Sequence, residues 1–119
     1  MSLTKDFFKT TRILDGGMGQ ELLNRGVVPH GTIWGATALF QKKYHKLLVK
    51  THLDFINAGA EVIVTNTFGS RKRRLIENKL SHKYVELNKL AGKLARVAVK
   101  KSKKKVLIAG SLPPQNFTY

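Results

Sequence analysis

Three short apolar runs, each followed by a turn, set the strongest limit on how this chain can fold. They read RILD from Arg12, EVIVTN from Glu61 and VLIAG from Val106. Their starts lie roughly 45 to 50 residues apart, and helix-like sequence fills each gap. The second and third runs are continuously apolar rather than alternating, as parallel strands covered on both faces are. The expectation is therefore βα repetition: an α/β fold with a parallel sheet and right-handed crossovers.

The gaps can be read in the same way. A helix is predicted over residues 18–24, with Gly26 as its stop. A loop holding Pro29 leads to a second helix over about 44–58, in which Leu48, His52, Phe55 and Ile56 share one face. Asn57, Ala58 and Gly59 close that helix. Ser81 is placed to cap a third helix reaching about Lys101. Its apolar stripe is Tyr84, Leu87, Leu90, Ala91, Leu94, Val97 and Ala98, while Lys83, Glu86, Lys89, Lys93, Arg96 and Lys100 face water.

Three parallel strands bury a sheet poorly and leave two open edges. A complete (β/α)8 barrel takes about 200 to 250 residues, and this chain has 119. It stops at Gln115, Asn116, Phe117, Thr118 and Tyr119, just past a strand and with no closing helix. The expectation is one partial domain over residues 1–119, from a truncated protein or one part of a larger assembly. A self-sufficient three-layer domain is the alternative.

Composition narrows the function classes. No apolar run approaches the ~18 residues that would span a bilayer, and the N-terminus lacks a signal-peptide core. There is no cysteine, so this chain offers no disulfide, thiolate ligand or thiol nucleophile. A cytoplasmic location is the expectation. The formal net charge of +15 invites a polyanion partner. Nine of the 22 Lys and Arg residues fall in two short runs, four in Arg71 to Arg74 and five in Lys100 to Lys105, and the rest are scattered, without the aromatic motifs of RNA-binding modules. Such runs are read as solvated faces, which argues against nucleic acid as a partner.

The chemistry is concentrated in ILDGGMGQELL, residues 13–23. One carboxylate, Asp15, ends a strand, and Gly16, Gly17 and Gly19 lead into a helix. The dinucleotide spacing G-x-G-x-x-G fails because Leu22 stands where the third glycine belongs, and no Gly-Lys-Ser/Thr follows for a P-loop. What remains is a strand-end acid beside backbone N–H groups at a helix start. Asp15 can pair with an ammonium, while the N–H groups of Gly17 and Met18 can receive a carboxylate. That suits an α-amino acid; a turn with a capping Asp fits the same spacing. His30, His45, His52 and His82 show no metal-ligand spacing, and His52 is read as structural. Trp34 is read either as a ligand-facing side chain or as a core or lid anchor.

Four blocks, ILDGGMGQELLNRG, TIWGATALF, THLDFINAGAEVIVTNTFGS and IAGSLPP, together cover nearly the whole chain and resemble homocysteine S-methyltransferases. The resemblance implies the N-terminal portion, about three βα units, of a TIM (β/α)8 barrel. It implies methyl transfer from a sulfonium donor, S-methylmethionine or S-adenosylmethionine, to homocysteine, giving methionine. It also implies that Asp15 holds the homocysteine amino group and that the backbone of Gly16, Gly17 and Met18 approaches its carboxylate. Thr65, Asn66 and Thr67 fall at a strand's C-terminal end, where barrel sites form, and Thr65 and Asn66 join the expected substrate-binding set. Zinc, held by cysteines in the family, is the implied cofactor; those cysteines are absent here, so no catalytic or metal-ligating residue is assigned and the chain alone is expected to be inactive. Gly69 stands where betaine-using relatives carry an aromatic residue, which argues against betaine as donor. Two other classes stay open: a basic module that binds nucleic acid, and a non-catalytic half-barrel that self-associates or pairs with another chain through its open sheet edges.

Overall fold

In the computed structural model, which describes residues 4–115, two parallel strands form the sheet. β1 (Val62–Val64) and β2 (Leu107–Ala109) pair Val62 with Leu107, Ile63 with Ile108 and Val64 with Ala109. The strand expected at residues 12–15 is reduced to one parallel bridge between Leu14 and Val62. The hydrogen bonds give the reason. Val62 N–H donates to the Ile13 carbonyl at 3.2 Å, and Asp15 N–H donates to the Val62 carbonyl at 3.0 Å. The next rung of a parallel ladder would join Val64 N–H to the main-chain carbonyl of Asp15. Instead Val64 N–H donates to the Asp15 carboxylate at 2.9 Å. The side chain ends the ladder, and the backbone turns away at Gly16.

Five α-helices surround the sheet: α1 (Met18–Asn24), α2 (Thr37–Phe40), α3 (His45–Asn57), α4 (Lys72–Glu77) and α5 (Tyr84–Ser102). α1 lies where the glycine turn and Gly26 place it, and α3 and α5 lie where the apolar periodicity places them. α1 and α3 end before Gly26 (φ +105°) and Gly59 (φ +119°), left-handed positions that glycine adopts without a Cβ clash. α5 opens differently from the expectation. Ser81 begins a 3-10 turn, Ser81–Lys83, and the residue before the helix is Lys83, with no side-chain cap. Tyr84, expected on the buried stripe, is exposed, and the buried stripe begins one turn later at Leu87.

The core lies between α3, α5 and the sheet. Leu48, His52 and Ile56 of α3 and Leu87, Ala91, Leu94, Ala95 and Ala98 of α5 are buried. Ile63, Leu22, Leu39 and Leu75 are fully buried with them, each contributing roughly 1.5 to 3 kcal/mol of transfer free energy. Arg25 ties α1 to α3, donating to Glu21 at 2.9 Å and to Asp54 at 2.7 Å. At the strands' N-terminal end, Arg12 meets Glu61 at 2.8 Å with its guanidinium 4.1 Å from the Phe7 ring centre. At the C-terminal ends of the strands the molecule opens into a cleft. The expectation for residues 116–119 lies outside the described residues.

Candidate functional site

A cleft of about 520 Å³ opens beyond the C-terminal ends of β1 and the Leu14 bridge. All six residues expected to bind substrate line it: Asp15, Gly16, Gly17, Met18, Thr65 and Asn66. Asp15 is half-buried, and that burial pushes its carboxyl pKa up from the ordinary 3.8. The Val64 N–H and its own N–H oppose the rise without cancelling it. A carboxylate in this position favours a cationic partner, which would restore its charged form.

The glycines beside it work by absence of bulk. At Gly17 a Cβ would meet nothing within 4 Å, so its backbone is open to an approaching group. At Gly16 a Cβ would lie 3.0 Å from the Phe55 ring. Met18 buries its side chain in the core, which leaves its main chain to face the cleft.

Asn66 and Thr65 have structural commitments. The Asn66 amide donates to the Gly35 carbonyl at 2.9 Å and is buried. It thereby fixes the 3-10 turn Trp34–Ala36 over the cleft. Gly35 and Gly19 touch backbone to backbone: a Cβ on Gly35 would lie 2.7 Å from the Gly19 Cα. Trp34 sits in the left-handed region at φ +55°, uncommon for a bulky residue, and half its surface is exposed along the cleft. The Thr65 and Thr67 hydroxyls are 3.0 Å apart, and Thr67 donates to the Ser111 carbonyl at 3.4 Å, linking the ends of the two strands.

The sequence reading missed two charged cleft residues. Arg71 and Arg74 line it, although their run was expected to be a solvated face; of the four, only Lys72 and Arg73 are exposed. Their spacing held the signal: Arg71 stands immediately before α4, Arg74 and Leu75 follow three and four residues on, and Leu75 is fully buried. Gly69 is packed so that a Cβ would lie 2.3 Å from the Ile33 carbonyl oxygen, so this backbone admits no side chain at 69.

The histidines do not join the site. His52 is buried on α3, neither ring nitrogen has a protein hydrogen-bond partner, and burial lowers its pKa to about 4. Among the described residues no three His, Cys, Asp or Glu side chains are grouped to hold a metal ion. With no cysteine in the sequence, the donor set present does not fit a thiolate-held zinc. Among the described residues no helix is long and apolar enough to cross a membrane.

The α/β unit opens at the C-terminal ends of its parallel strands onto a cleft with one acid, a glycine turn and two guanidinium groups, the place where open α/β sheets commonly carry their ligand sites. A family model described as homocysteine S-methyltransferase matches residues 12–119, and the chain belongs to that family. It is 29% identical over 94 residues to homocysteine S-methyltransferase 2 of Saccharomyces cerevisiae, covering 72% of this chain and 29% of that protein. It is 38% identical over 56 residues to homocysteine S-methyltransferase 4 of Zea mays, covering 47% of this chain and 16% of that protein. The fold resembles the crystal structure of the homocysteine methyltransferase MmuM from Escherichia coli in its metallated form. The TM-score is 0.74 and the identity 27%, over 91% of this chain and 40% of that one. The chain thus spans less than half the length of each of these relatives.

Proposed function

We propose that this chain forms a single partial domain, the first βα units of a (β/α)8 barrel, and supplies the amino-acid end of a homocysteine site. The activity that site serves is methyl transfer from a sulfonium donor, S-methylmethionine or S-adenosylmethionine, to the sulfur of homocysteine, giving methionine and the demethylated donor. The supporting observation is the strand-end geometry of Asp15. One carboxylate oxygen is held by Val64 N–H at 2.9 Å, and the group lines the cleft beside the unobstructed backbone of Gly17.

In this reading Asp15 takes the homocysteine ammonium in a charge-assisted hydrogen bond. The main chain of Gly16, Gly17 and Met18 receives its carboxylate. Thr65 lines the same wall, and Asn66 positions the turn that carries Trp34. The zinc expected for the family is not held by residues of this chain. Their part is to bind and orient the substrate, and no bond-making step is assigned to them.

The test compares homocysteine with 4-mercaptobutanoate, which keeps the thiol and carboxylate but lacks the amino group. A charge-assisted hydrogen bond is worth about 1.5 to 3 kcal/mol, so the analogue should bind roughly 10- to 100-fold more weakly by ligand-observed NMR. Equal affinity would remove Asp15 as the ammonium partner.

A further inference from the structure

One wall of the cleft is the segment 31–36, which carries Trp34. The Trp34 ring lies over α1: a Cβ on Gly19 would come within 3.2 Å of it. A bulky residue at φ +55° keeps that backbone only where its surroundings hold it. On the Gly35 side the hold is the Asn66 amide. On the Thr32 side it is Asn78, 46 positions further along the chain and outside the cleft lining. Asn78 Oδ1 accepts from Thr32 N–H at 3.0 Å, and Nδ2 donates to the Thr32 hydroxyl at 2.8 Å. The same Nδ2 donates to the Arg74 carbonyl at 2.8 Å, which fixes the amide on its own helix. A Cβ on residue 31 would run into the Asn78 amide oxygen, so Gly31 is what lets the two segments meet.

The end of α4 makes a firm post for this clamp. Asn78 closes the helix, and Lys79 takes the left-handed position after it at φ +59°. Lys79 N–H donates to the Ile76 carbonyl at 3.1 Å and Leu80 N–H to the Leu75 carbonyl at 2.7 Å, the paired bonds of a Schellman motif. Leu75 and Leu80 are both buried in the core, as the apolar pair of that motif usually is. We propose that Asn78 is a positioning residue: by joining this helix end to Thr32 it sets the backbone of segment 31–34, and with it the Trp34 ring beside the cleft. Its effect on a ligand rests on the homocysteine reading above; its effect on Trp34 does not.

Trp34 is the single tryptophan of the chain, so intrinsic fluorescence reads its surroundings alone. It is 49% exposed, so releasing it should raise its acrylamide quenching constant about twofold. Asn78→Ala, checked for folding by circular dichroism, should give that rise. Asn78→Asp can still accept from the Thr32 N–H and hydroxyl, and should bring quenching back near the unaltered level. Thr32→Val removes one bond of the clamp and leaves α4 untouched, so it should give a smaller rise. Homocysteine affinity, by isothermal titration, should fall about threefold or more in Asn78→Ala and recover in Asn78→Asp. Unchanged quenching in Asn78→Ala, or a rise that Asn78→Asp does not reverse, would overturn the assignment. If Asn78→Ala fails to fold, unchanged quenching in Thr32→Val would do the same. Raised quenching with undiminished homocysteine affinity would also overturn it, because the wall would then move without bearing on the ligand. If homocysteine fails to bind the unaltered chain while quenching follows the series, the clamp on Trp34 stands and the homocysteine reading falls.

Discussion

At the scale of single residues, two buried titratable groups have opposite consequences. Asp15 replaces a rung of the sheet and faces the cleft, so its raised pKa couples to ligand charge. His52 faces the core, and its lowered pKa couples to stability. The folded-state pKa of His52 is about 4, against an ordinary 6.5. Its stabilising effect is therefore complete above pH 6.5 and is lost as the pH falls from 6.5 towards 4, because the unfolded chain takes up the proton first. The loss amounts to roughly 3 kcal/mol by pH 4. His52→Leu removes both unpartnered nitrogens and the proton linkage at nearly constant volume. In thermal melts from pH 7 to pH 4.5 the variant should lose less stability than the unaltered chain; parallel losses would show that acid sensitivity arises elsewhere.

At the scale of elements, the junction between α1 and the turn Trp34–Ala36 is a close backbone-to-backbone contact beside the cleft. Gly35→Ala would press a methyl group against the Gly19 backbone, 2.7 Å from its Cα, where nothing flexible can yield. Overpacking of this kind costs roughly 1 to 3 kcal/mol, and chemical denaturation should show a loss in that range. An unchanged midpoint would mean that the two backbones separate easily. The elements themselves were unequally legible. α1 followed from the glycines that bound it, and α3 and α5 followed from apolar spacing, since a long amphipathic helix repeats its signal over several turns. α2 and α4, at four and six residues, are too short to show a period, and α4 carries a cationic sequence that reads as surface. The first strand was foreseen as longer than it is, because no pattern announces that a carboxylate will take the place of its own backbone carbonyl. Arg71 and Arg74 were hidden for a related reason: charge in a run suggests water, and only the burial of Leu75 beside them reverses that.

At the scale of the whole molecule, the net charge of +15 is unevenly used. Most of it lies on exposed positions such as Lys89, Lys93, Arg96 and Lys100 of α5. Two cations, Arg71 and Arg74, turn inward at the cleft. The polar ties at one end of the strands and the cleft at the other give the unit a working face. That face was foreshadowed in the sequence by Asp15 and the three glycines after it. The central claim is that this face clasps an amino acid by its ammonium group, and Asp15→Asn tests it most directly, since the amide can still accept a hydrogen bond but carries no charge. Isothermal titration with homocysteine at neutral pH should show roughly 10- to 100-fold weaker binding for the variant. For the unaltered chain, affinity should fall as the pH drops through the raised Asp15 pKa. The same affinity for variant and unaltered chain would contradict the account.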